Sequence, residues 1–146
     1  MLKIPIDILI VDDERDFVEM LSLRLADEGH RVRSALTGEN GLAALADGEC
    51  DVVILDIRMP GMDGITTLKT MKARHPVVEV ILLTGHGTID TAVEGLKSGA
   101  FDYVQKPANF AELLDKLAAA RARKAEQEER IRKAEARALL RRSGDV

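Results

Sequence analysis

Short apolar runs and amphipathic segments alternate five times along this chain, and that alternation leaves few folds open. The runs Ile8-Leu9-Ile10-Val11 and Val52-Val53-Ile54-Leu55 are continuous and rich in β-branched residues. Such runs are the mark of strands buried on both faces of a parallel sheet. Between strands predicted at 6–11, 31–36, 51–55, 77–83 and 101–104 lie helical patterns at 14–28, 39–46, 65–74 and 88–98. In the first of these helices Phe17, Val18, Leu21 and Leu25 recur at helical spacing, and Gly29 is its expected stop. Thr37, Asp63 and Thr88 stand where N-caps belong, and a last helix begins near Asn109. Strands separated by helices of this length mean βαβ units, hence an α/β fold with helices on both faces of a parallel sheet.

Two of the apolar runs end on acids. Asp12 and Asp13 follow the first, and Asp56 follows the third. Open α/β sheets bind their ligands at the carboxyl ends of the strands, so these three carboxylates are expected to meet at one rim. Carboxylates brought together raise one another's pKa unless a cation lies among them. Hard oxygen donors of this kind suit Mg²⁺. The expectation is a divalent ion held beside a carboxylate that reacts.

Composition narrows the class. At 146 residues the chain fits one domain plus an extension, and no apolar run approaches the roughly 20 residues of a membrane span. The single cysteine, Cys50, excludes an internal disulfide, fits a reducing cytoplasm, and has no neighbouring ligand partner, so it reads as a packing residue. Charge divides the chain. Residues 1–120 carry 12 basic and 20 acidic side chains (−8), residues 121–146 carry 9 and 5 (+4). We therefore expect a domain over 1–120 and a charged helical extension over 121–146. An acidic domain is a poor electrostatic match for nucleic acid, and the basic extension lacks interleaved aromatics, so direct nucleic-acid binding is not expected.

Four stretches together resemble the receiver domain of bacterial two-component response regulators. They are Ile10-Val11-Asp12-Asp13-Glu14, Leu55-Asp56-Ile57-Arg58-Met59-Pro60-Gly61-Met62-Asp63-Gly64, Leu83-Thr84-Gly85-His86 and Gly99-Ala100-Phe101-Asp102-Tyr103-Val104-Gln105-Lys106-Pro107. The resemblance covers about residues 6–120. It implies a flavodoxin-like doubly wound five-stranded sheet of order 2-1-3-4-5, with Asp56 as phosphoacceptor. It implies Mg²⁺ held by Asp12, Asp13, Asp56 and the backbone carbonyl of Arg58. Lys106, before a cis proline bond, and Thr84 would contact phosphoryl oxygens, and Thr84 with Tyr103 would form the switch. Arg58 and His86 side chains, two residues beyond Asp56 and Thr84, would overhang the pocket and tune phosphoryl lifetime. The partner implied is a sensor histidine kinase or a histidine phosphotransfer protein, and the setting is cytoplasmic. A homodimer through the 88–120 face or the C-terminal helix is a further expectation.

Residues 109–142 contain neither proline nor glycine, so the last helix is expected to outrun the domain. Leu113, Leu117, Ala120, Lys124, Gln127, Ile131, Ala134 and Ala138 keep a 3–4 spacing along it. In its Thr-Gly-His-Gly run and helical tail the chain resembles regulators that continue into an ATPase and a DNA-binding domain. A natural single-domain regulator is the favoured expectation, an excised receiver of a transcriptional regulator the alternative, and a relay intermediate uses the same pocket. A Mg²⁺-dependent phosphatase with an aspartyl nucleophile needs a general acid two residues on, where this chain has Arg58, so a phosphoacceptor signalling domain rather than an enzyme is expected.

Overall fold

A computed structural model describes residues 4–59, 61–85, 89–107 and 109–144. The elements run β1 (Asp7–Val11), α1 (Arg15–Asp27), β2 (Arg31–Ala35), α2 (Gly38–Ala46), β3 (Val52–Asp56), α3 (Gly64–Arg74), β4 (Glu79–Thr84), α4 (Ile89–Lys97), β5 (Asp102–Gln105) and α5 (Phe110–Arg142). All strand pairs are parallel and the order is β2-β1-β3-β4-β5, as the resemblance implied.

Alternation along the strands divides the interior into two cores. Leu9, Val11, Val53, Leu55, Val80 and Leu82 face one side, with Leu42 and Leu45 of α2 and Leu68 and Met71 of α3. Ile8, Ile10, Val52, Ile54, Ile81 and Leu83 face the other, with Val18, Leu21 and Leu25 of α1 and Leu113, Leu117 and Ala120 of α5. Both faces of β1, β3 and β4 are covered, and this is why those segments are apolar without interruption.

Local signals explain the element ends. Gly29 closes α1 at φ +92°, a conformation that disfavours any side chain. Thr37 Oγ1 accepts from Asn40 N and Asp63 Oδ1 from Thr66 N, so both expected caps form. Gly64 is required for contact: a Cβ there would lie 2.5 Å from the Ile57 backbone. That close approach folds the β3–α3 loop against the strand end. Thr88 and His86 lie outside the described residues.

Several boundaries differ from the sequence expectation. β3 begins at Val52 rather than 51 and includes Asp56, while β4 runs to Thr84. The ladder continues because Asp56 pairs with Leu83 and Thr84 with Gln105, so the polar residues end the strands from within. Asp51 is displaced into a linking role: its Oδ2 accepts from Asp7 N and its Oδ1 lies 3.1 Å from Lys124 Nζ. α1 starts at Arg15 because Asp12 turns its side chain back onto the backbone, Oδ1 accepting from Glu14 N.

α5 has 33 residues, about 50 Å of helix. Leu113, Leu117, Ala120 and Lys124 are buried, and from Ala125 onward the helix leaves the sheet. The expected 3–4 seam therefore packs only as far as Lys124, and Ile131 is exposed. No helix among the described residues is long and apolar enough to cross a membrane.

Candidate functional site at the carboxyl rim of the sheet

Four strand ends build one pocket. Asp12 follows β1, Asp56 closes β3, Thr84 closes β4 and Lys106 follows β5. Backbone bonds hold these ends in line: Asp12 N donates to Ala35 O, Ile57 N to Leu83 O and Lys106 N to Thr84 O. A parallel sheet thus brings together residues separated by as many as 94 positions without any of them being neighbours in sequence.

Asp12, Asp13 and Asp56 each present a carboxylate oxygen, and these oxygens all lie within 4.8 Å of one another. Asp12 and Asp56 are buried, and Asp13 is exposed at the mouth. Asp12 Oδ1 accepts from Glu14 N, but no hydrogen-bond donor is aligned on the enclosed Oδ2. The ammonium of Lys106 stands 2.7 Å from that oxygen as its ion pair. A clustered, partly unsatisfied set of hard oxygens is what a divalent cation such as Mg²⁺ requires, so the residues fit the group.

Asp56 Oδ1 accepts from Arg58 N at 3.0 Å, and Oδ2 faces Lys106 Nζ at 3.7 Å. Its pKa is raised to about 6, first by burial. The Arg58 N–H opposes that rise, Asp12 adds to it, Lys106 opposes it, and Asp13 adds to it. Burial pulls the Lys106 pKa down, but Asp12 and Glu14 more than offset this and hold it above the ordinary lysine value. Chemically, the pocket presents one carboxylate open to an electrophile and a fixed cation beside it.

The expected residues converge, with particulars that the sequence did not display. Asp12, Asp13, Asp56 and Lys106 share the pocket, and Thr84 is buried at the end of the neighbouring strand. The Arg58 backbone meets Asp56 through its N–H, while its side chain is exposed. The Lys106–Pro107 bond is cis. Tyr103 points outward, 37% exposed, with Lys116 Nζ 5.5 Å from its ring centre. Glu14 is a residue that sequence reasoning passed over. Its Oε1 holds Lys106 Nζ at 3.0 Å, 92 positions away. Phe17 lies beneath the same ammonium at 4.5 Å. Glu14 looked like the start of a helix, and only the strand-end geometry reveals its partner.

Known proteins resemble this chain in sequence and fold. The model of the response regulator receiver domain family matches residues 8–118. The regulatory protein AtoC of Escherichia coli is 48% identical over 106 residues, covering 73% of this chain and 23% of that protein. An NtrX-like response regulator of Rickettsia bellii is 45% identical over 106 residues, 71% of this chain and 22% of that protein. The crystal structure of the receiver domain of NtrX from Brucella abortus superposes with a TM-score of 0.76 at 38% identity, covering 80% of this chain and 98% of that one. The chain thus spans about a quarter of the length of the curated relatives it matches.

Proposed function

Because the chain belongs to the response regulator receiver domain family, we propose that Asp56 accepts a phosphoryl group from the phosphohistidine of a sensor kinase or a histidine phosphotransfer protein. The observation that carries this reading is the meeting of Asp12, Asp13 and Asp56 oxygens within 4.8 Å, with Lys106 Nζ 3.7 Å from Asp56. Members of the family bind Mg²⁺ in such an acidic pocket. Here Asp12, Asp13, Asp56 and the Arg58 carbonyl would hold it. When bound, Mg²⁺ supplies charge neutralisation on the phosphoryl oxygens.

The protein's own groups perform the rest. An Asp56 carboxylate oxygen attacks phosphorus, an O–P bond forms, and the P–N bond breaks with its electron pair returning to the imidazole nitrogen. Arg58 N–H, bonded to Oδ1, fixes the carboxylate rotamer and leaves Oδ2 for attack. Lys106, already charged and 3.7 Å away, is within a small movement of a phosphoryl oxygen. The Thr84 hydroxyl donates to a second one, and its shift opens space toward which Tyr103 turns inward. Phosphorylation adds roughly −1.5 to −2 of charge at this rim, and that charge biases the two positions of the Thr84–Tyr103 pair. The altered face then controls an output partner.

Intact mass after incubation with Mg²⁺ and acetyl phosphate tests the reading. A gain of about 80 Da (one phosphoryl group,) is expected in the wild type and not in Asp56→Asn. No gain in the wild type, with either acetyl phosphate or a phosphorylated histidine donor, would remove Asp56 from the role.

A further inference from the structure

The first turn of α1 holds a cation. Glu14 is the N-cap of α1, yet its side chain makes no capping bond, and glutamate is not among the residues that cap helices well. Its backbone is pinned on both sides, the N–H donating to Asp12 Oδ1 and the carbonyl accepting from Val18 N. The carboxylate turns instead toward the end of β5, where Oε1 meets Lys106 Nζ at 3.0 Å. Phe17, three positions on and so on the same face of the turn, has its ring centre 4.5 Å from that ammonium. A cation at a helix N-terminus faces the positive end of the helix dipole, so an anion and an aromatic face are what keep it there. The Glu14 side chain is 65% exposed, and ion pairs of that exposure add little to stability. Its consequence lies in where the ammonium rests.

Among the described residues three carboxylates face Lys106 Nζ: Asp12 Oδ2 at 2.7 Å, Glu14 Oε1 at 3.0 Å and Asp56 Oδ2 at 3.7 Å. Asp12 and Asp56 belong to the oxygen cluster that fits Mg²⁺, and Glu14 stands outside it. Lys106 therefore makes its shortest contact with an oxygen that the ion also requires. An ammonium and a divalent cation repel one another, so filling the cluster means moving the ammonium off Asp12. We propose that Glu14 is a positioning residue for Lys106: it keeps the ammonium beside Asp56 when Asp12 is surrendered to Mg²⁺. The proposal rests on the reading of this rim as a Mg²⁺-assisted phosphoacceptor pocket. A lysine has three N–H donors, so one stays on Glu14 while the others are free for Asp56 or a phosphoryl oxygen. Without the Glu14 carboxylate, the ammonium is left with Asp12 and Asp56, both claimed by the ion, or with water. Leaving Asp12 then costs more, and the ion binds less well.

NMR titration of the full chain with MgCl₂, without phosphodonor, reads this exchange. It is run in about 0.5 M KCl, where the Debye length is about 4 Å and a distant charge acts weakly. Glu14→Gln should raise the Mg²⁺ Kd about fivefold, the upper range for a partly exposed ion pair. Glu14→Asp should raise it by a similar factor, because the charge is kept but the side chain is one methylene shorter and no longer spans to Lys106. Lys106→Met should lower Kd, since no ammonium then competes for Asp12. In that background Glu14→Gln should change Kd by less than about twofold, because its effect runs through the lysine. Wild-type affinity in Glu14→Asp overturns the inference, as does a loss in Glu14→Gln that persists beside Lys106→Met, because Glu14 then acts as a bare charge. Unchanged affinity in Glu14→Gln overturns it too. In each of these cases the wild type still binds Mg²⁺ and the reading of the pocket stands. A wild type that binds no Mg²⁺ sinks that reading and this inference together.

Discussion

At the scale of single residues, Asp56 sits where burial makes its charge unfavourable. Its pKa of about 6 in the folded chain, against 3.8 for an unperturbed aspartate, arises first from burial. For an acid whose pKa is raised by folding, the stabilising contribution is present below about pH 4 and lost as pH rises through about 6. Asp56→Asn should therefore be more stable than the wild type at pH 7.5 in EDTA, by about 3 kcal/mol. The difference should shrink steadily toward pH 4, and urea unfolding at several pH values measures it. A constant difference across that range would mean that Asp56 is not the titrating group. Tyr103 offers a second measurement, because the chain has one tyrosine and no tryptophan. Phosphorylation should change tyrosine fluorescence in the wild type as the ring turns inward, while Thr84→Ala should gain the phosphoryl mass without the fluorescence change. An equal change in both would separate Tyr103 from Thr84. The acids of this pocket were legible in the sequence because each interrupts an apolar run at a strand end. Thr84 and Lys106 carried no such signal, since threonines and lysines are common everywhere, and only their family context marked them. Glu14 was not legible at all, because its partner lies 92 positions away, just past the end of β5.

At the scale of elements, α5 is the helix whose packing the sequence described least well. Its 3–4 spacing continues to Ala138, but burial ends at Lys124. The reason is dimensional. Strands of four to six residues span about 13–20 Å, and the 15 residues from Phe110 to Lys124 already cover about 22 Å of helix. Periodicity reports which face a helix presents and says nothing about where its support stops. The end of that support is an ionic clamp. Lys124 Nζ lies 3.1 Å from Asp51 Oδ1 and 3.4 Å from Glu128, and Arg123 Nε lies 3.2 Å from the buried Glu79. These pairs tie the helix to the amino ends of β3 and β4, opposite the carboxyl rim that carries Asp56. Lys124→Met keeps the apolar stem and removes the charge, leaving Asp51 without that partner. It should cost about 2 kcal/mol in urea unfolding, since hydrogen bonds to charged groups contribute on that order. Lys133→Ala, on the exposed stretch, should change stability by less than about 0.5 kcal/mol. If Lys124→Met were as stable as the wild type, the stem and not the charge would anchor the helix.

At the scale of the whole molecule, the chain joins two materials with different sources of order. Up to Lys124 every helix rests on a two-faced apolar sheet, and its central strands β1, β3 and β4 were legible because both cores impose uninterrupted apolar runs on them. Beyond Lys124 the helix holds through alanine-rich propensity and intrahelical ion pairs such as Arg132–Glu129. Such support is local. Helix propagation adds about one bond per residue at little net gain, so an unsupported helix opens from its free end. Hydrogen exchange should therefore divide α5 sharply in dilute solution. Amides of Leu113 through Ala120 should exchange only through global unfolding, and those of 128–142 within milliseconds to seconds of local opening. Slow exchange throughout α5 would instead mean that the extension is as rigid as the domain, and the division drawn at Lys124 would then fall.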